Sequence, residues 1–92
     1  MSEAVTQNID EIKGIARKYL ADFIPPKKME ALEDSTALIT GGILDSITIV
    51  ELAASLEDHY DIKFETFEMS VDYFDTVADI AKVVQEKIAA NG

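Results

Sequence analysis

Gly41-Gly42-Ile43-Leu44-Asp45-Ser46-Ile47 closes a polar loop and opens an amphipathic helix. The paired glycines permit a turn with positive φ at little steric cost. Ile43 and Leu44 give the loop an apolar anchor. After Asp45-Ser46 the pattern becomes helical, with Ile49, Leu52, Ala53, Leu56 and Tyr60 on one side. The helix is expected from Ser46 to about Tyr60, a span of roughly 22 Å. Thr48 and Glu51 offer a capping box of their own, so Ser46 need not be the cap.

Working back from this stretch, residues 1–5 are expected to fray. A first helix is expected from about Thr6 to Asp22, with Ile9, Ile12, Ala16, Tyr19, Leu20 and Phe23 at helical spacing. Asn8 with Glu11 could form a capping box and start it a turn later. Pro25-Pro26 ends the helix, because proline lacks the backbone donor and restricts the residue before it. The connection from Lys27 to Gly42 is long, and Met29, Leu32, Leu38 and Ile39 mark it as packed on the core, with a helical turn near Met29–Leu32.

Working forward, Asp61-Ile62-Lys63-Phe64 alternates like a strand but has no second strand to pair with, so it reads as loop. A short third helix is expected over Phe67–Val71. Asp75 or Thr76 caps a final helix, Thr76 standing in capping-box spacing with Asp79. Val77, Ile80, Ala81, Val84 and Ile88 form its inner stripe, Asn91-Gly92 stops it, and residues 90–92 are expected to be flexible. The expectation is an all-α single domain, a bundle of three main helices and a short third one.

Charge narrows the function. Eight basic residues stand against eighteen acidic ones, a formal net charge of −10. Phosphate neutralisation needs basic clusters, so direct binding of nucleic acid or an anionic membrane is disfavoured. The imbalance is uneven: residues 1–28 carry five bases against four acids, whereas residues 29–92 carry three lysines against fourteen acids. The acidic surface therefore belongs to the part that holds Ser46, and it suits basic partners. With no cysteine, disulfides, thiolate metal sites and a cysteine nucleophile are excluded. Met-Ser-Glu-Ala-Val-Thr does not read as a signal peptide and no apolar run reaches the roughly 20 residues of a membrane span, so a soluble, cytoplasmic protein is expected.

Catalysis needs convergent groups or an activated nucleophile. The single histidine, His59, lies almost four turns beyond Ser46 and reads as a solvated helix residue. The carboxylates lack the order of a calcium loop. No catalytic or metal-binding residue is assigned, and a small hydrolase is remote. Ser46 remains as an attachment point, since a helix N-terminus favours a phosphate ester by roughly 0.3–1 kcal/mol. Asp45 opposes this on static charge, so its place beside a phosphate site points to a metal or a basic enzyme during modification. Beside the core stripe of the same helix, Ile47, Val50 and Ala54 form a second apolar stripe rimmed by Glu51, Glu57 and Asp58. It reads either as a wide core face or as a partner-binding face with an acidic rim.

Leu44-Asp45-Ser46-Ile47 resembles the Asp-Ser-Leu motif of acyl and peptidyl carrier proteins, with Ile47 in the leucine place. The similarity extends through Ile49-Val50-Glu51-Leu52 and Leu56-Glu57-Asp58-His59-Tyr60 to Phe74-Asp75-Thr76-Val77-Ala78-Asp79-Ile80, and spans roughly residues 6–90. The resemblance implies a four-helix bundle of acyl-carrier-protein type, monomeric. It implies that Ser46 receives 4′-phosphopantetheine from coenzyme A, through a phosphopantetheinyl transferase and magnesium. The arm's thiol would carry an acyl or aminoacyl group as a thioester. By position, Asp45, Ile47, Val50, Glu51, Ala54, Glu57 and Asp58 match the surface on which such proteins dock partner enzymes. The implied partners are an acyl- or aminoacyl-loading enzyme and a downstream acyltransferase, synthase or tailoring enzyme.

Thr48, Ala54, Pro25-Pro26-Lys27-Lys28 and the aromatic segment Tyr60–Phe74 depart from housekeeping fatty-acid carriers. They favour a freestanding carrier of polyketide, nonribosomal or aminoacyl-loading metabolism over a fatty-acid carrier. An acidic protein-interaction module without a prosthetic group is the alternative from outside the family.

Overall fold

The computed structural model describes residues 8–91, side chains through Ala90. The expected fraying of residues 1–5, a start at Thr6 and the role of Gly92 lie outside the described residues. Among the described residues five α-helices and one 3₁₀ turn enclose the core, and no strand occurs. None of these helices is long and apolar enough to cross a membrane.

Helix α1 runs Ile9–Leu20, and the Asn8 side chain accepts from the Glu11 amide at 2.9 Å, so it opens at the later of the two expected starts. It ends at Leu20 rather than Asp22. The amides of Phe23 and Ile24 both turn back to the Leu20 carbonyl, which tightens the exit and brings Ile24 into the core. Pro25-Pro26 therefore does not end α1. Pro26 opens helix α2 (Pro26–Ala31), where a missing N–H and a fixed φ suit the first turn. The helical turn expected near Met29 is this helix, which starts earlier than Met29.

Helix α3 spans Ser46–Tyr60, the expected bounds, and Asp61 closes it in the left-handed region at φ 57°. Its inner stripe of Ile49, Leu52, Ala53 and Leu56 is buried and Tyr60 is half-buried. Asp61–Phe64 is loop, with Ile62 and Phe64 turned inward and Lys63 outward.

The third helix departs from expectation. The chain forms a 3₁₀ turn at Thr66–Glu68 and then helix α4 at Val71–Phe74. Phe74 decides this. It is fully buried and meets Phe64 edge-to-face at 5.3 Å, whereas Phe67 stays 64% exposed. Seating Phe74 requires the helical turn at 71–74, and the Ser70 hydroxyl donates to the Phe67 carbonyl to join the two turns. Helix α5 (Val77–Asn91) opens with the Thr76 hydroxyl accepting from the Asp79 amide at 2.9 Å, the expected capping pair. It stays helical through residues 90 and 91, where flexibility was expected.

Helix α1 packs most extensively on α5 and also on α3, while α4 packs on α5. Among the described residues every fully buried side chain is apolar. Polar links tie the periphery together. Asp34 takes Lys13 at 2.9 Å and Arg17 at 2.8 Å, and Arg17 also donates to the Leu32 carbonyl, fastening α1 to the loop after α2. Lys87 pairs with Glu68 at 2.7 Å.

These links set the acid limit of stability. Arg17 first, then Lys13, holds the Asp34 carboxyl below its ordinary 3.8. The Thr40 amide does the same at Asp75, and at Glu68 burial is outweighed by Lys87 and the Glu65 amide. A carboxylate whose folded value is depressed contributes fully above its unfolded value and loses that contribution as pH falls through the folded one. The melting temperature is therefore expected to be flat from pH 8 to about 5 and to fall below about pH 4. Thermal scans at physiological salt, which damps the long-range self-repulsion of the acidic chain and leaves pairs in direct contact largely intact, check this. A flat profile down to pH 2.5 would mean that these bonds hold nothing.

Candidate functional site

The loop before α3 is built around two apolar anchors and two glycines. Leu38 and Leu44 are buried. The amides of Ile43 and Leu44 both donate to the Leu38 carbonyl, at 2.8 and 2.9 Å, and the Gly42 amide donates to Ile39 at 3.0 Å. Gly42 takes φ 78°, the positive value that the glycine pair suggested. At Gly41 the reason is space, because a Cβ there would overlap the Ala37 carbonyl oxygen.

The chain leaves this turn at Leu44 and begins α3 with Asp45 as the N-cap. Its Oδ1 accepts from the Thr48 amide at 2.8 Å, so Asp45 fills the role that sequence gave to Thr48 or Ser46. The Asp45–Thr48 spacing is the signal that could have found it. The Thr48 amide, then its hydroxyl, holds the Asp45 carboxyl below its ordinary 3.8. Ser46 is exposed in the first turn, and its hydroxyl is spared from capping.

Ile47, Val50 and Ala54 are all exposed, at 71% for Ile47 and 52% for Val50, so the second stripe is not a wide core face. Three apolar residues at positions i, i+3 and i+7 make a continuous patch beside Ser46. Asp45, Glu51 and Asp58 are exposed around it. Glu57 is different. It is half-buried, and its Oε2 accepts from the Phe64 amide at 2.8 Å, stapling the end of α3 to the following loop.

Glu57→Lys is accordingly expected to destabilise the fold by about 1–3 kcal/mol, since it strands a partly buried amide. Glu51→Lys, on the exposed rim, should stay within about 0.5 kcal/mol of wild type. Urea unfolding of both variants measures the difference. Equal midpoints would return Glu57 to the solvated rim.

His59 is exposed at the far end of α3, roughly 20 Å along the axis from Ser46. Its Nδ1 lies 3.0 Å from the Tyr19 hydroxyl and its ring meets Tyr19 and Tyr60 edge-on, an α1–α3 link that sequence did not suggest. The Tyr60 hydroxyl is buried without a partner among the described residues, and burial first, then the charge of Glu11, pushes its pKa up. Phe67 and Val71 are also exposed apolar residues, away from the stripe on α3 in sequence, and their alternation with half-buried Met69 is the sequence signal for this. No family model matches the chain, and no curated protein matches it.

Proposed function

We propose that this protein is a non-catalytic carrier of acyl-carrier-protein type, which holds an acyl or aminoacyl group as a thioester on a 4′-phosphopantetheine arm attached to Ser46. The observation that carries the reading is an exposed serine hydroxyl at the head of a long helix, released from capping by Asp45 and bordered by the exposed stripe of Ile47, Val50 and Ala54. The attachment point suits the group. It is open to solvent at the first residue of α3, where the positive end of the helix dipole would favour a phosphodiester. When bound, the arm supplies the thiol that this cysteine-free chain lacks.

The chain's own residues hold and present. Helix α3 fixes Ser46 on a rigid element, Asp45 keeps the helix start closed, and the apolar stripe offers a small docking centre. Asp45, Glu51 and Asp58 rim that centre and steer basic enzymes: the phosphopantetheinyl transferase, a loading enzyme, and a downstream acyltransferase, synthase or tailoring enzyme. Glu57 contributes charge but is anchored to Phe64. We place the protein as a cytoplasmic monomer in polyketide, nonribosomal or aminoacyl-loading metabolism, on the sequence departures from fatty-acid carriers.

The exposure of Ile47 and Val50 equally serves an acidic interaction module without a prosthetic group. Intact-protein mass after incubation with coenzyme A, magnesium and a broad-specificity transferase separates the two. One added arm supports the carrier; no addition, with the transferase active on a control, leaves the interaction module.

A further inference from the structure

We propose that Asp75 is a positioning residue for the modification of Ser46, holding the Leu38–Leu44 turn in the shape that delivers this serine to a transferase. The inference rests on the carrier reading and adds a residue distant from Ser46 in sequence. Asp75 sits between α4 and α5, two residues before the first residue of α5. Its Oδ1 accepts from the amides of Ile39 at 2.8 Å and Thr40 at 2.9 Å, and its Oδ2 accepts from the Thr40 hydroxyl at 2.8 Å. Its backbone carbonyl accepts from the Leu38 amide at 2.6 Å. One residue thus takes four hydrogen bonds from three consecutive residues of a loop 35 to 37 positions away in the chain.

Those three residues control the exit of the loop. The Leu38 carbonyl accepts from Ile43 and Leu44, and the Ile39 carbonyl accepts from Gly42, so the turn closes on the segment that Asp75 grips. Asp45 and Ser46 follow Leu44 directly. Leu38 and Leu44 are buried and Ile39 and Ile43 pack half-buried on the core, but the Thr40–Gly42 tip is exposed and contains two glycines, so apolar packing leaves the course of the tip to the carboxylate.

In the step concerned, Ser46 Oγ attacks the pantetheine-bearing phosphorus of coenzyme A. The Oγ–P bond forms, the bond from that phosphorus to the bridging oxygen breaks, adenosine 3′,5′-bisphosphate leaves, and the hydroxyl proton passes to a base of the transferase. Asp75 touches none of these atoms. It raises the fraction of molecules in which the turn and the α3 start are ready to dock, and a partly populated competent state weakens apparent affinity by that fraction.

The test compares Asp75→Ala, Asp75→Asn and Asp34→Ala with wild type, measuring kcat and KM of transfer to the apo protein, melting temperature, and amide exchange at residues 38–44. Asp75→Ala is expected to raise KM about tenfold with kcat within about twofold, and to speed exchange in the turn. Asp75→Asn restores KM to within about threefold, because its oxygen keeps both amides and its amide group can donate to the Thr40 hydroxyl. Asp34→Ala loosens the loop's other end, at Lys13 and Arg17, and leaves KM unchanged. If Asp75→Ala unfolds, Thr40→Val, which keeps the two amide bonds, gives a smaller rise in KM. Wild-type KM in Asp75→Ala or Thr40→Val despite faster exchange overturns the inference alone. A KM that tracks melting temperature across all variants, Asp34→Ala included, also overturns it. A wild-type protein that accepts no arm overturns the carrier reading and this inference with it.

Discussion

Ser46→Ala is expected to abolish the mass gain from coenzyme A and transferase while leaving helicity and melting temperature at wild-type values. The separation of the two effects follows from the cap. Asp45, not Ser46, accepts from the Thr48 amide, and Ser46 is exposed, so removing its hydroxyl breaks no hydrogen bond that α3 depends on. Alanine is the best helix former, and a surface change of this kind stays within about 0.5 kcal/mol. Asp45→Ala is the counterpart: it should lower the melting temperature through the lost cap. Intact mass and thermal melts on both variants check the pair. A Ser46→Ala protein that unfolds makes the serine structural, and one that still gains an arm moves the attachment elsewhere.

Phe74→Ala is expected to destabilise the fold by about 3–5 kcal/mol, the range for removing a buried aromatic ring. A domain of this size has about 5–15 kcal/mol of stability, so the variant should be partly unfolded at moderate temperature. The ring is fully buried, packs edge-on against Phe64, and is the reason that α4 exists as a helix of only four residues. Its loss also frees the neighbour of Asp75, so the Leu38–Leu44 turn should lose exchange protection with it. Phe67→Ala, which trims an aromatic side chain at 64% exposure, is the control and should shift stability by less than about 0.5 kcal/mol. Similar urea midpoints for the two variants would contradict this assignment of the core.

The acidic rim and the apolar stripe of α3 show how far a face can be read before a structure. Ile49, Leu52, Ala53 and Leu56 already fill one side of the helix, so Ile47, Val50 and Ala54 had to be surplus to the core or widen it. Their exposure settles that geometry. Glu57 illustrates the converse, because its sequence context matches Glu51 and Asp58 while its oxygen holds the Phe64 amide.

The sequence by itself determined the bounds of α3 and the all-helical class, and it held the start of α1 at Asn8 and the Thr76 cap of α5 each as one of two choices. These are products of nearest neighbours: a period of 3.6 and side chains that reach amides three residues away. Tertiary structure alone decided where the third helix lies, because the choice between Phe67 and Phe74 as the buried ring depends on Phe64 and α5. It alone joined Arg17 to Asp34, Tyr19 to His59, and Asp75 to Ile39 and Thr40. A hydrogen bond across 35 residues leaves no periodic trace in the chain. It forms only when the burial of apolar side chains far from it has brought a carboxylate against amides that would otherwise turn to water.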